Sequence, residues 1–125
     1  TNLDLSECDQ ITEAGLIHLR GLALTNHDLS GDFSIKDAGL VHLCGWPLTI
    51  LDPSYAGEIT GAGFAHLRGL PLTNLELDNC RDITDAGLDL RGLPLTNLDL
   101  SDCSYITDAG LDGSRAVLGQ QIQCR

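Results

Sequence analysis

The chain has 125 residues, which is enough for one domain with a continuous core but small for an enzyme built around a deep cleft. Eighteen acidic residues against seven basic ones give a net charge of -11, so the chain repels nucleic-acid phosphates and anionic membrane surfaces. Its apolar stretches are short and interrupted, so none is predicted to span a bilayer. This composition favours a cationic or neutral protein partner and argues against nucleic acid or a membrane.

One sequence motif recurs five times along the chain. A repeat of this length is typical of solenoid proteins, in which each unit buries its apolar side against the next. We therefore expect one domain of five repeats over residues 1–125. Since the chain begins inside a repeat, we also expect it to be a fragment of a longer protein. The copies start 24, 24, 24 and 23 residues apart, at Thr1, Thr25, Thr49, Thr73 and Thr96.

Each copy opens with alternating apolar and polar residues, as in TNLDLS at residues 96–101. This alternation is typical of a strand with one buried face, so the leucines are expected to point inward. The polar residues between them are then expected to share the opposite face. These outward positions are Asn2, Asp4, Ser6; Asn26, Asp28, Ser30; Ile50, Asp52, Ser54; Asn74, Glu76, Asp78; and Asn97, Asp99, Ser101.

After a turn, the apolar spacing changes to that of a short helix with one buried stripe, for example Ile11, Leu16 and Leu19. A threonine followed by acidic residues suits the start of such a helix, because its hydroxyl caps free N–H groups and the acids complement the helix dipole. The fourth copy lacks one residue, so its helix is expected to be shortened or rewound after Leu88. The predicted caps are Thr12, Thr60, Thr84 and Thr107.

The shared pattern, L-x-x-L-x-L-x-x-C-x-x-I-T-D-x-G-L, closely resembles the cysteine-containing leucine-rich repeat of F-box adaptors and of many bacterial and protist proteins. The resemblance implies an α/β leucine-rich repeat solenoid (horseshoe), with a parallel β-sheet on the concave face and short helices on the convex face. It implies no catalytic residues and no cofactor. Residues 112–125 depart from the pattern and are expected to form a divergent C-terminal cap or tail, through Ala116, Val117, Leu118 and Ile122.

The cysteines and histidines are predicted to be structural. Thiols at the motif's cysteine position are expected to pack inward as small apolar groups. The histidines recur on neighbouring helices about 8 to 10 Å apart, too far to share a zinc ion. Unpaired cysteines favour a reducing, intracellular compartment. The motif cysteines are Cys8, Cys80 and Cys103, replaced by Asp32 and Ala56 in two copies; Cys44 and Cys124 are the more reactive candidates; the histidines are His18, His42 and His66.

Between the start of each repeat and its cysteine position, the five copies carry eight acidic residues and no Lys or Arg. Stacked strands are about 4.8 Å apart, so the central carboxylates are expected to form one row and to raise one another's pKa values. Three interpretations stay open at this point: a solvated surface that keeps the protein soluble, a docking face for a basic segment, and a calcium site. The row comprises Asp4, Asp28, Asp52, Glu76 and Asp99.

The second and third copies depart most from the pattern. His27 and Pro53 replace inward leucines, while Ile50 and Tyr55 add apolar groups to the polar face. Pro53 has no N–H to donate, so the hydrogen-bond ladder is expected to be interrupted there. Trp46 is expected in the core or on the helical side. The departures suit a binding hot spot, and drift in a degenerating repeat explains them equally.

The sequence thus predicts a monomeric, non-catalytic protein–protein interaction scaffold whose acidic concave face binds a protein or peptide of basic character. One alternative is the substrate-recognition region of an F-box type ubiquitin-ligase adaptor, which rests on the repeat subtype alone. A second is a structural or engineered repeat array with no specific ligand. No metal site is predicted, and the predicted partner-binding residues are Asp4, Asp28, Ile50, Asp52, Tyr55, Glu76, Asp78 and Asp99.

Overall fold

The computed structural model of the chain describes residues 1–31, 35–111 and, as backbone, 122–123. Asp32, Cys124 and most of the predicted C-terminal cap, including Ala116, Val117 and Leu118, lie outside the described residues, as does the side chain of Ile122. Within the described part, six strands form one sheet. They are β1 (Asn2–Asp4), β2 (Asn26–Asp28), β3 (Ile50–Asp52), β4 (Asn74–Glu76), β5 (Asn97–Asp99) and β6 (Ile122–Gln123).

All of these strands are parallel and follow one another in chain order, so the sheet is open rather than closed. Pairing joins equivalent positions of successive repeats, as where Leu75 lies beside Leu98. In β1 to β5, the middle residue of each strand packs into or against the core, and the flanking residues lie on the opposite face, which we call the polar face. The predicted α/β class, a parallel sheet with short helices, is confirmed.

The sixth strand lies where a cap or tail was predicted. Ile122 pairs with Leu98 and Gln123 with Asp99, which continues the spacing of the earlier strands. The division into five repeats and a tail missed this strand because the sequence there, QIQ, has lost the threonine, asparagine and aspartate that mark the other strands. The backbone at β6 therefore extends the sheet beyond the fifth repeat.

The helical segments are short, as predicted, and most are wound more tightly than an α-helix. Most are 3-10 helices, Glu13–Leu19, Val41–Leu43 and Ala62–Leu67, and Asp37–Leu40 (α1) is a single α-helical turn. Residues 108–111 are also helical. In the fourth repeat, residues 77–96 are all described and contain turns without a helix, so the predicted shortening is confirmed there.

The predicted threonine caps are partly wrong. Thr12 makes no side-chain cap hydrogen bond, and the residue preceding Ala62–Leu67 is Gly61 rather than Thr60. The hydroxyls of Thr60 and Thr107 do accept N–H groups at the start of their own helices, from Ala62 at 3.5 Å and from Ala109 at 3.3 Å. They also bind the preceding repeat: that of Thr60 donates to Asp37 at 2.5 Å. Thr107 donates to Asp85 in the same way. The acids were expected to interact with their own helix dipole, but these two hold neighbouring repeats together.

The core lies between the sheet and the helical segments and is built mainly from leucines. Cys80 and Cys103 are buried, and their thiols donate to the carbonyls of Pro53 at 3.4 Å and Leu77 at 3.1 Å. Burial raises the pKa of Cys80 to about 12, so its thiol stays protonated. The prediction that motif cysteines point inward is confirmed for both, while Cys8 is half-buried. Trp46 lies in the core.

Pro53 interrupts the ladder as predicted, but by one hydrogen bond only. The next bond along β3 is present, from the N–H of Tyr55 to the carbonyl of Asp78 at 2.9 Å. The interruption is therefore local. The bonds that correspond to the missing one join Leu5 to Asp28, Leu29 to Asp52 and Leu77 to Asp99.

Neighbouring repeats approach most closely at the glycine that precedes each helical apolar stripe. A Cβ atom added to Gly87 would lie 2.2 Å from the carbonyl oxygen of Thr60, and one added to Gly63 would lie 2.8 Å from that of Asp37. Both contacts are with backbone, which has little freedom to move aside. A Cβ atom added to Gly57, in contrast, would have no neighbouring atom within 4 Å. Only glycine fits where two repeats meet in this way.

We therefore predict that Gly87→Ala lowers the free energy of unfolding by about 3 kcal/mol, because the backbone of two repeats must separate. The matched control Gly57→Ala is expected to change it by less than about 0.5 kcal/mol. Urea unfolding followed by circular dichroism measures both values. Equal stabilities for the two variants would contradict the close approach of Gly87 and Thr60.

Candidate functional site

The eight predicted partner-binding residues lie together on the polar face. They line one shallow depression of about 730 Å³ that crosses strands β1 to β5. Parallel pairing in register produces this grouping, because equivalent residues of successive repeats lie side by side. Among the described residues, its lining includes six carboxylates and no Lys or Arg: Asp4, Asp28, Asp52, Glu76, Asp78 and Asp99.

Four of the central carboxylates have a structural role that sequence reasoning missed. Each accepts a hydrogen bond from the backbone N–H of the serine two residues later, as from Ser30 to Asp28 at 3.0 Å. The hydroxyl of Ser30 donates to the same oxygen at 2.7 Å. This is an Asx-turn, which fixes the chain as it leaves the strand. The D-x-S spacing was its signal, and the other pairs are Asp4 with Ser6, Asp52 with Ser54, and Asp99 with Ser101.

These turns refine one expectation and correct another. Ser30 and Ser54 line the depression on the polar face, as expected of outward serines, although Ser54 and Ser101 are buried and bonded to the aspartates. Mutual repulsion was expected to raise the pKa values of the row. The pKa of Asp4 is instead lowered, because the hydroxyl and N–H of Ser6 stabilise its charged form.

The fourth repeat differs from the others because Glu76 and Asp78 replace the aspartate and serine. Glu76 is half-buried, and the amide of Asn97 donates to it at a long 3.4 Å. Its pKa is raised, first by burial and then by the charges of Asp99, Asp52 and Asp78. The expected repulsion is thus observed at this position. Glu76 carries a negative charge that its surroundings stabilise poorly.

Tyr55 is the exposed aromatic group of the depression, with 55% of its surface accessible. Its backbone has φ of 67°, in the left-handed region that favours glycine, and the equivalent Gly31 and Asn79 share this conformation. Hydrogen bonding to the Asp78 carboxylate, followed by its charge, raises the pKa of Tyr55. Ile50 lies half-buried on β3, the strand that leads to Tyr55. An aromatic ring therefore lies beside the carboxylates of the fourth repeat.

Metal and membrane chemistry gain no support from the described residues. Among them, no group of three or more His, Cys, Asp or Glu side chains is placed to hold a metal ion. His18 and His66 are exposed, His42 is half-buried, and the calcium interpretation of the acidic row is unsupported. In the same part of the chain, we find no helix with the length and apolar character needed to cross a bilayer.

No protein-family model matches the chain, and no curated protein matches it. The likeness to leucine-rich repeats therefore rests on the motif and its spacing. The function has to be argued from the geometry of the polar face.

We predict opposite stability effects at two carboxylates of the row. Asp28→Ala removes the acceptor of two Ser30 hydrogen bonds and is expected to lower the free energy of unfolding by about 1 to 2 kcal/mol, whereas Asp28→Asn keeps the acceptor and loses less. Glu76→Gln removes a charge that burial disfavours and is expected to leave stability unchanged or slightly raised. Urea unfolding measures the free energy of unfolding of each variant. A greater loss of that free energy for Glu76→Gln than for Asp28→Ala would contradict the prediction.

Proposed function

We propose that this chain is a non-catalytic scaffold that binds a basic protein or peptide segment along the polar face. We infer further that its repeats form a leucine-rich repeat solenoid in which this face is concave. The in-register parallel strands and the depression that crosses them support the second inference. The observation that carries the first is the charge of the depression, whose described lining has six carboxylates and no basic residue.

Electrostatic attraction supports this choice of partner. Like charges at the spacing of adjacent strands repel one another, and a bound cationic segment relieves that repulsion. The field of the aligned carboxylates also steers a basic segment toward the face and accelerates its association. A neutral or acidic segment gains neither effect.

The centre of binding is expected over β3 to β5 rather than along the whole row. Asp4, Asp28, Asp52 and Asp99 already accept hydrogen bonds from serines. In the fourth repeat, Glu76 and Asp78 replace the D-x-S pair, and Tyr55 lies at their side. A guanidinium group pairs with such carboxylates and stacks on an aromatic ring, so an arginine is the favoured contact.

The Asx-turns give specific support to one alternative, a structural repeat array without a ligand. On that hypothesis the aspartates were retained for turn geometry, and the negative face is a by-product of repetition. It does not account for Glu76 and Asp78, which lack the serine partner. The F-box adaptor alternative stays a prediction from the repeat subtype, since no described contact bears on it.

We predict that an arginine-rich peptide binds the protein and that Glu76→Gln/Asp78→Asn weakens this binding by about tenfold, because two negative charges beside Tyr55 are lost. The matched control is Asp82→Asn/Asp108→Asn, which removes two exposed carboxylates outside the depression. Isothermal titration calorimetry at about 20 mM and about 150 mM salt measures the affinities, with a glutamate-rich peptide as a second control.

Equal weakening by the two double variants would show attraction to net charge alone and would favour the structural array. Failure of the arginine-rich peptide to bind at both salt concentrations would contradict the proposed function. Tyr55→Asn tests the aromatic contact separately, because asparagine occupies the same left-handed position at Asn79 and is expected to preserve the turn.

A further inference from the structure

A histidine occupies the core position of β2, where the neighbouring strands have leucine. His27 is fully buried between Leu3 and Leu51, its partners on the adjacent strands. The ring of Trp46, the chain's one tryptophan, lies against it with ring centroids 5.8 Å apart and planes tilted by 34°. Trp46 is itself only 4% exposed. Two polar aromatic rings therefore meet inside an otherwise aliphatic core.

The contacts of His27 define which nitrogen carries its proton. Nδ1 lies 3.3 Å from the carbonyl oxygen of Leu3, which can only accept, so Nδ1 donates and the neutral ring leaves Nε2 as an acceptor. Nε2 of His27 and Nε1 of Trp46 are buried and have no hydrogen-bond partner among the described residues. In the neutral state, an acceptor and a donor thus share one region of the core.

Protonation of His27 places a charge in the core. It also turns Nε2 into an N–H donor that, like Nε1 of Trp46, has no acceptor among the described residues. The titratable groups on the elements packed around the ring are Asp4 on β1, Asp28 on β2 and Asp52 on β3, with His42 and Cys44 on the segment before Trp46. The three aspartates lie on the opposite face of the sheet.

We propose that His27, packed on Trp46, is an acid-sensitive lock in the core: its neutral imidazole joins the second repeat to the first through the carbonyl of Leu3, and its protonation buries an unpaired charge that loosens the core around it. Burial lowers the pKa of His27, and this outweighs the opposing effects of the Leu3 carbonyl and the Asp28 charge. The unfolded chain therefore binds more protons than the native one below about pH 6.5, so the lock is intact above that pH and is lost as the pH falls through it. This inference does not depend on the partner proposed for the polar face.

The test is urea unfolding at about pH 7.5 and about pH 5.5, followed by circular dichroism. The unfolding equilibrium constant of the wild type is expected to rise by about tenfold more between these values than that of His27→Leu, which restores the leucine of the other strands. His66→Gln, a change at an exposed histidine, is expected to keep the wild-type dependence. An unchanged pH dependence in His27→Leu would overturn the proposal.

A second measurement uses the unaltered protein and so does not depend on the folding of a variant. Imidazole nitrogen NMR is expected to show the neutral His27 in the Nδ1–H tautomer and to place its protonation at a lower pH than that of an unburied histidine. The exposed His66 supplies the reference titration curve. A native His27 that titrates together with His66 would overturn the lock.

Discussion

Hydrogen bonding between equivalent residues of successive strands is the constraint on which the rest of the structure depends. The N–H of Thr25 donates to the carbonyl of Thr1 at 2.8 Å, and that of Thr49 donates to Thr25 at 2.7 Å. The strands are parallel and in register. A side chain that points outward in one repeat therefore lies beside the equivalent side chain of the next repeat. Leucines therefore stack into a core, and carboxylates align on the polar face. The charge of that face follows directly from the regularity of the fold.

The carboxylate between the leucines has two roles, which the fourth repeat separates. In the other repeats, an aspartate ends the strand by accepting the N–H of a serine, as Asp99 does from Ser101 at 2.8 Å. Glu76 has no such partner, and its raised pKa reflects burial and the charges around it. The aspartates needed for the Asx-turns can thus maintain an acidic face. Where the fourth repeat lacks this turn, its carboxylates are free of a serine partner and can make that part of the face suitable for binding. Tyr55 lies at that part.

Much of the architecture was predictable because it depends on spacing. The repeat length set the strand register, the alternation placed Leu75 and Leu98 inward, and the missing N–H of Pro53 removed one ladder bond. Tertiary contacts were less accessible: the hydroxyl of Thr60 accepts the N–H of Ala62 in its own helix, as predicted, but it also donates to Asp37 of the preceding repeat. The D-x-S spacing indicates the Asx-turns, but the same spacing is explained more simply by a strand whose serines point outward. The pairing of His27 with Trp46 had no local signal, because it joins positions 19 residues apart across the core.

The most direct test of binding at the polar face is backbone amide NMR of the protein titrated with an arginine-rich peptide at about 150 mM salt. The largest chemical-shift changes are expected at Tyr55, Glu76 and Asp78, and the smallest at Gly21 and Gly69 beside the helical segments. Changes that are confined to those segments, or that spread evenly over all exposed acidic residues, would contradict a docking face centred on the fourth repeat.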